Sequence, residues 1–382
     1  MNAPRPRQIL RLAAGLALAA QAAPAVHVDD KSCAACHADK SSTYARSAHA
    51  LTTSWPHTGN MQGNFAPGGN TMATADPNLS FLMEKIGADH FQTATLATPV
   101  QTRQRRERID IIVGSGRKAQ TYLYWDQDLL LELPVSYWMP TGEWMNSPGY
   151  PDGTANFDRG TSDRCLECHA TSFTTRQPPR NRFVRDSLVL GISCQKCHGP
   201  GGEHVARRQA GLPTGATPDI VIPAKLPRAR QQDVCALCHA GVGKPLAPTL
   251  SYTAGDILAK YLALAPADPA KPVDPHGSQL QTLAQSRCYQ SSQALTCLSC
   301  HDVHQTQRQA DAYVQSCLTC HQVEACGQFP ALRDTIRNQC IDCHMPLQTT
   351  AKIVLRLGGE RHQPQVRTHR IGIYPAAENP GP

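Results

Sequence analysis

Seven times along this 382-residue chain, two cysteines separated by two residues are followed directly by a histidine. The copies are Cys33/Cys36/His37, Cys165/Cys168/His169, Cys194/Cys197/His198, Cys235/Cys238/His239, Cys297/Cys300/His301, Cys317/Cys320/His321 and Cys340/Cys343/His344. Such a run is the attachment signature for c-type haem. Its cysteines form thioether bonds to the vinyl groups, and its histidine is placed as the proximal iron ligand. The motifs use fourteen of the sixteen cysteines and leave Cys288 and Cys326. Zinc ribbons also pair cysteines but need no histidine after every second one. A disulfide framework leaves the same histidines unexplained. The expected cofactor is haem c, seven copies covalently attached.

That expectation explains an otherwise awkward composition. Aromatic residues make up only 5% of the chain, against 30 prolines and 27 glycines. Porphyrins would supply much of the missing apolar surface, and without them little stable fold is expected. The net charge of +7 includes Arg5, Arg7 and Arg11 of the first segment, and it falls to +4 without them. Each haem would add two propionates, so the basic balance does not argue for nucleic acid. The run Arg103 to Arg108 reads as a solvated face or a propionate partner.

Residues 1–25 read as a cleaved export signal. Three arginines precede the short apolar run Leu12–Ala20, and small-residue cleavage sites follow. That run is too short to span a bilayer comfortably. No later segment is long and apolar enough to do so. The mature chain is expected in the periplasm, meeting redox proteins there or at the membrane surface.

The fold expected is mainly α, with extensive irregular structure around a multihaem core. Ile109, Ile111 and Val113 alternate with other residues, and Tyr122, Tyr124 and Trp125 follow a Gly-Ser-Gly turn. These predict a small β-hairpin or meander inserted near 107–133. Short helices are expected over Ala38–Ala50, Arg228–Ala240 and Ser278–Ser292, and a strand over Thr349–Leu357. Tyr137, Trp138 and Trp144 read as aromatic core rather than a substrate platform. The motifs divide the chain into a first-haem region with the β insertion (26–160), a cluster of three (161–265) and a second cluster of three with a tail (276–382). The Pro-rich stretch Pro266–Pro275 lies at the last boundary.

Each iron has a second axial position, and nine further histidines can fill it: His27, His49, His57, His90, His204, His276, His304, His362 and His369. His304 lies three residues after His301, a reach of roughly 10 Å. That is too little chain to round the edge of its own porphyrin, so His304 should ligate a different haem. His204, beyond His198 across a Gly-rich bend, falls under the same constraint. His49, His276 and His369 are the next candidates, followed by His57 and His362. His27, beside the cleavage region, and His90, in the long spacer, read as non-ligands. Met345 directly follows His344, is badly placed for the opposite face, and reads as packing. For Cys288 and Cys326, a disulfide and two buried thiols both remain open.

The runs CAACH with SAHA, CQKCHGPGGEH and CIDCHMP resemble the exported multihaem cytochromes related to the tetrahaem electron acceptor of hydroxylamine oxidoreductase. The resemblance covers the haem-bearing parts and only loosely the 51–164 spacer. It implies closely packed haems with two histidine ligands, electron transfer as the role, and His49 and His204 as distal ligands. Enzymatic relatives act on nitrite, tetrathionate or hydroxylamine at a haem with an open axial site, sometimes with lysine in place of the motif histidine. No Cys-x-x-Cys-Lys run occurs here. An electron carrier is the expectation, a multihaem oxidoreductase the alternative. In a compact chain with a radius of gyration of about 21 Å, seven porphyrins cannot be isolated from one another.

Overall fold

The computed structural model describes residues 27–176, 181–213, 219–265, 274, 277–306 and 309–374. The expected signal segment, nearly all of the Pro-rich stretch 266–275 and His276 lie outside the described residues.

The mainly α expectation is wrong. The chain is 28% helical and 24% strand, with several antiparallel sheets. The β region also extends far beyond 107–133. Thr71–Ala73, Leu79–Ile86, Asp89–Ala97 and Thr102–Arg108 form a four-stranded antiparallel sheet in chain order. In Leu79–Ile86 the side chains alternate, with Leu79, Phe81 and Met83 buried and Ser80 exposed. That is the period expected of a strand with one face on a core. A second, eight-stranded sheet runs in the order Thr53–Ser54, Ile111–Val113, Ala119–Asp126, Val135–Trp138, Glu143–Asn146, Leu355–Leu357, Glu360–His362. Leu129–Glu132 pairs beside Ala119–Asp126. The tail thus returns to close a sheet begun three hundred residues earlier, with Asn146 opposite Arg356.

Buried side chains from both sheets form one apolar core: Phe81, Met83, Ile112, Tyr122, Tyr124, Tyr137 and Trp144 among others. Trp144 stacks edge-on against Phe65 and Tyr137, and its indole N–H donates to the carbonyls of Asn64 and Gly69. Trp138 joins Met145 and Leu355 where the tail docks. The few aromatics are concentrated here, which is how a chain poor in them still builds a conventional core. The exposed edge strand Thr102–Arg108 carries the arginine run. Arg105 pairs with Glu107 and Asp158, Arg106 with Glu84, and Arg108 with Asp110. A charged edge of this kind discourages pairing with another strand.

The motif-bearing parts are different. Their helices are short: Asp30–Ala34, Asp163–His169, Cys194–His198, Arg228–His239, Ala310–Leu318 and Cys340–His344, with a 3-10 turn at Cys297–Ser299. Ala38–Tyr44 is helical but stops before His49, and Ser278–Ser292 is broken into Gln279–Leu283 and Arg287–Ser291. The expected strand after Cys343 is likewise two pieces, Leu347–Thr349 and Leu355–Leu357. From Ala310 to His344 the buried apolar residues are few, Val314, Val323, Ile336 and Ile341.

Candidate haem-binding centre

One helical turn explains the motif spacing. Cysteines at i and i+3 share a face, and the histidine at i+4 continues it. The turn is closed by backbone bonds from His37 to Cys33 (2.9 Å), His301 to Cys297 (3.0 Å) and His321 to Cys317 (3.0 Å). In Asp163–His169 the Ser162 hydroxyl caps the first turn by accepting from the Cys165 N–H.

The decisive geometry lies between motifs. His37 faces His204 with ring centres 6.5 Å apart and planes 18° off parallel. His198 faces His304 at 6.0 Å and 24°, and His301 faces His369 at 6.1 Å and 24°. His239 faces His49 at 6.0 Å, but with the planes nearly perpendicular, at 84°. Two imidazoles bonded through Nε2 to opposite faces of one metal, at about 2 Å per bond, have centres roughly 6 Å apart. All four pairs have that spacing, and each joins a motif histidine to a non-motif one. Directly stacked rings would be closer. The residues fit an iron between each pair.

Other contacts fix the rings. His198 Nδ1 lies 2.7 Å from the Val221 carbonyl, and His344 Nδ1 2.7 Å from the Gly372 carbonyl. His169 Nδ1 lies 2.9 Å from the Thr52 hydroxyl, and His204 Nδ1 3.0 Å from Asp219, whose other oxygen takes Arg208. A partner at Nδ1 leaves Nε2 as the metal-binding atom. Burial, followed by the neighbouring His49, pushes His239 down to about 4. Burial also pushes His369 down to about 4. Both are held neutral, the form that ligates metal.

His49 owes its position to a glycine. Gly191 has φ +71°, and a Cβ there would sit 2.2 Å from the Ala50 carbonyl oxygen. Only a residue without a side chain lets the two segments run so close, with the Ile192 N–H bonded to the His49 carbonyl at 3.0 Å.

The motifs also touch through their cysteines. The sulfurs of Cys33 and Cys194 lie within 4.8 Å of each other and of an Asp30 oxygen. Cys168 meets Cys238, and Cys235 meets Cys297. With haem attached these sulfurs would be thioethers, so the Asp30 group fits a meeting of two attachment sites better than a metal cage.

The motif cysteines are not equally enclosed. Cys36, Cys165 and Cys320 are exposed, whereas the other eleven motif cysteines are half-buried. The cause is local. Cys36 follows the end of the short helix Asp30–Ala34, and Cys320 follows the end of Ala310–Leu318, so neither is covered by a further helical turn. The assignment of Cys36 and Cys320 rests on the Cys-x-x-Cys-His spacing. A thioether bond is covalent and needs no enclosing pocket, so exposure does not disqualify them.

Among the remaining candidates, His57 is exposed in a turn, its Nδ1 accepting from the Gly59 N–H. His362 lies half-buried at the end of its strand, 3.9 Å from Glu360. Among the described residues no second histidine ring faces His321 or His344. His90 is buried against Phe65 within the four-stranded sheet. His27 is exposed. Cys288 and Cys326 are not joined in a disulfide. The sequence did not point to Asp219 behind His204, or to the tyrosines beside the pairs. Tyr44 lies 6.4 Å from His304 and Tyr313 5.4 Å from His301. Nothing in their spacing marks them.

Residues 150–199, which hold the second and third motifs, match the sequence profile of the family described as Cytochrome c554 and c-prime. That match and the seven motifs support a multihaem c-type cytochrome. Among solved structures, the cytochrome is similar to the crystal structure of outer cell wall cytochrome OcwA, with a TM-score of 0.58 and 18% identity over 90% of this chain and 79% of that one. It is also similar to an undecahaem cytochrome from the S-layer of Carboxydothermus ferrireducens, with a TM-score of 0.43 and 14% identity over 92% of this chain and 53% of that one. The first likeness is one of fold. No curated protein sequence matches the cytochrome. Among its described residues, no helix is long and apolar enough to cross a membrane.

Proposed function

We propose that this cytochrome is an exported heptahaem electron carrier of the periplasm, with mostly bis-histidine irons. The cysteines of the seven motifs hold the haems and the motif histidines are the proximal ligands. His204, His304, His369 and His49 are the distal ligands of the haems on His37, His198, His301 and His239. The observation that carries this reading is the set of four cross-motif histidine pairs at 6.0–6.5 Å. His276 remains a candidate for a further distal position, as do His57 and His362. Export is supported by the signal-like residues 1–25. Its partners are redox proteins that dock and exchange electrons.

Bound haem supplies the one-electron chemistry, and the protein supplies ligation, orientation and burial. Two imidazoles per iron leave no open position at the four paired sites, which suits a carrier better than an enzyme. The test is the intact mass of protein matured in a competent host, measured together with its potentiometric titration. Seven haem additions and mostly low, overlapping potentials support the proposal. Four or five haems, or one dominant high-potential step, would refute it.

A further inference from the structure

We infer that a cavity between the β region and the segment leading to the third motif binds a neutral saccharide. Its volume is about 400 Å³, within the range of small-ligand sites. Separate stretches of chain meet there. Trp55 and Pro56 follow the strand Thr53–Ser54, and Arg108, Ile109 and Asp110 link the four-stranded sheet to the eight-stranded one. Trp125 comes from Ala119–Asp126, and Arg185, Asp186 and Leu188 from the turn ahead of Cys194. None of the lining residues is a cysteine or a histidine, so the cavity is not a haem-attachment site. The inference therefore stands apart from the axial pairing.

A sugar ring offers an apolar face of C–H groups and a rim of hydroxyls, each both donor and acceptor. The cavity has a counterpart for each. Of the four tryptophans, Trp138 and Trp144 are buried and Trp125 half-buried, whereas Trp55 is 49% exposed. Its indole is an open platform at the cavity wall. Trp125 has the Arg185 guanidinium over its ring at 4.9 Å, so that face is already covered and the site is not a slot between two open aromatic rings. The polar groups are held before any ligand arrives. Arg108 pairs with Asp110 at 2.7 Å and reaches Asp89 at 3.6 Å, and Asp110 also accepts the Trp125 N–H at 2.8 Å. Arg185 donates twice to the Gln127 carbonyl, at 3.1 and 2.8 Å. Side chains fixed in this way lose little freedom on binding. Guanidiniums beside carboxylates give each hydroxyl a donor and an acceptor. The carboxylates of Asp89, Asp110 and Asp186 outnumber the guanidiniums of Arg108 and Arg185, which disfavours anions and acidic sugars.

Isothermal titration calorimetry of the haem-loaded protein tests this. Maltotriose and triacetylchitotriose are the neutral probes, trigalacturonate the acidic one and riboflavin a planar aromatic one. At least one neutral trisaccharide should bind with a Kd of about 1 mM or tighter. Trigalacturonate should bind at least tenfold more weakly. Trp55→Ala should weaken the neutral sugar at least tenfold. The turn itself is held by backbone groups, the Trp55 carbonyl accepting from Asn60 at 2.9 Å and Ser54 pairing with Ile112, so loss of the indole leaves it in place. Asp186→Asn, at an exposed side chain, should weaken the same sugar several-fold. Unchanged haem content and absorption spectra show that both variants are intact. Failure of both neutral sugars to bind would overturn the inference. So would tighter binding of riboflavin or trigalacturonate than of either sugar, or sugar binding that neither substitution weakens.

Discussion

The imidazole of His304 lies 6.0 Å from that of His198 and 24° off parallel to it, although His304 is only three residues from the motif histidine His301. A segment too short to reach around a porphyrin on His301 instead faces the histidine of another motif. The same device recurs six residues after His198, where His204 faces His37. On the proposed pairing, short loops that serve two irons each keep the irons close, as electron exchange between them requires.

The ring planes separate the pairs into two classes with different magnetic signatures. Near-parallel imidazoles give a rhombic low-spin ferric spectrum, and perpendicular ones a highly anisotropic low-spin signal. The haem between His239 and His49, at 84°, should give the anisotropic type. The three pairs at 18–24° should give rhombic spectra. Low-temperature EPR of His49→Ala should lose anisotropic intensity and gain one high-spin signal. Loss of rhombic intensity instead would contradict the assignment of His49.

How much of this was legible in the residues differs from part to part. The attachment sites follow from spacing alone, and the cross-motif role of His304 follows from the length of its loop. Spacing says nothing of enclosure, so the exposure of Cys36 and Cys320 beside their half-buried partners Cys33 and Cys317 was not foreseen. Partner choice is not legible either: nothing local to His204 says that it faces His37 rather than another haem. The sheets were readable only in part. Ile109 to Val113 stood out because β-branched residues crowd there. The strand Leu79–Ile86 was missed, although Leu79, Phe81 and Met83 alternate with Ser80, Leu82 and Glu84 and the turn at Gly87 separates it from its partner. A motif-dense chain invites a helical reading of its spacer, and the haem motifs say nothing about residues 51–164. The docking of Leu355–Leu357 onto Glu143–Asn146 is a contact across two hundred residues that neither segment announces.

Asp219 should tune one haem. It sits 3.0 Å from His204 Nδ1 and makes that imidazole a more electron-rich ligand. Asp219→Asn should raise the potential of the haem facing His204 and leave the other components of the titration in place. A titration unchanged throughout would mean that the carboxylate serves only Arg207 and Arg208.

Glu132 gives the β region a pH dependence. Burial pushes its carboxyl up to about 7, opposed by Arg159 at 3.3 Å. The folded pKa lies above the unfolded one, so the unfolded chain ionises first as pH rises. Stability from this group is fully present below about 4.5 and is lost progressively up to about 7. Glu132→Gln removes that loss. The variant should be more stable than wild type at pH 8, by up to about 3 kcal/mol, and the advantage should shrink on acidification. Denaturant midpoints across pH 4–8 measure it, and a constant difference would show that Glu132 ionises normally.

The most direct measurement is the low-temperature EPR spectrum of oxidised His304→Ala, with its haem content determined on the same sample. Cross-motif pairing requires that all haems stay attached, that one new high-spin signal arises, and that the rhombic low-spin intensity of the His198 haem is lost. The haem on His301 should keep its low-spin signal, because its proposed distal ligand is His369. An unchanged low-spin spectrum with full haem content would show that His304 binds no iron, and the pairing of motifs by their neighbours' histidines would be wrong.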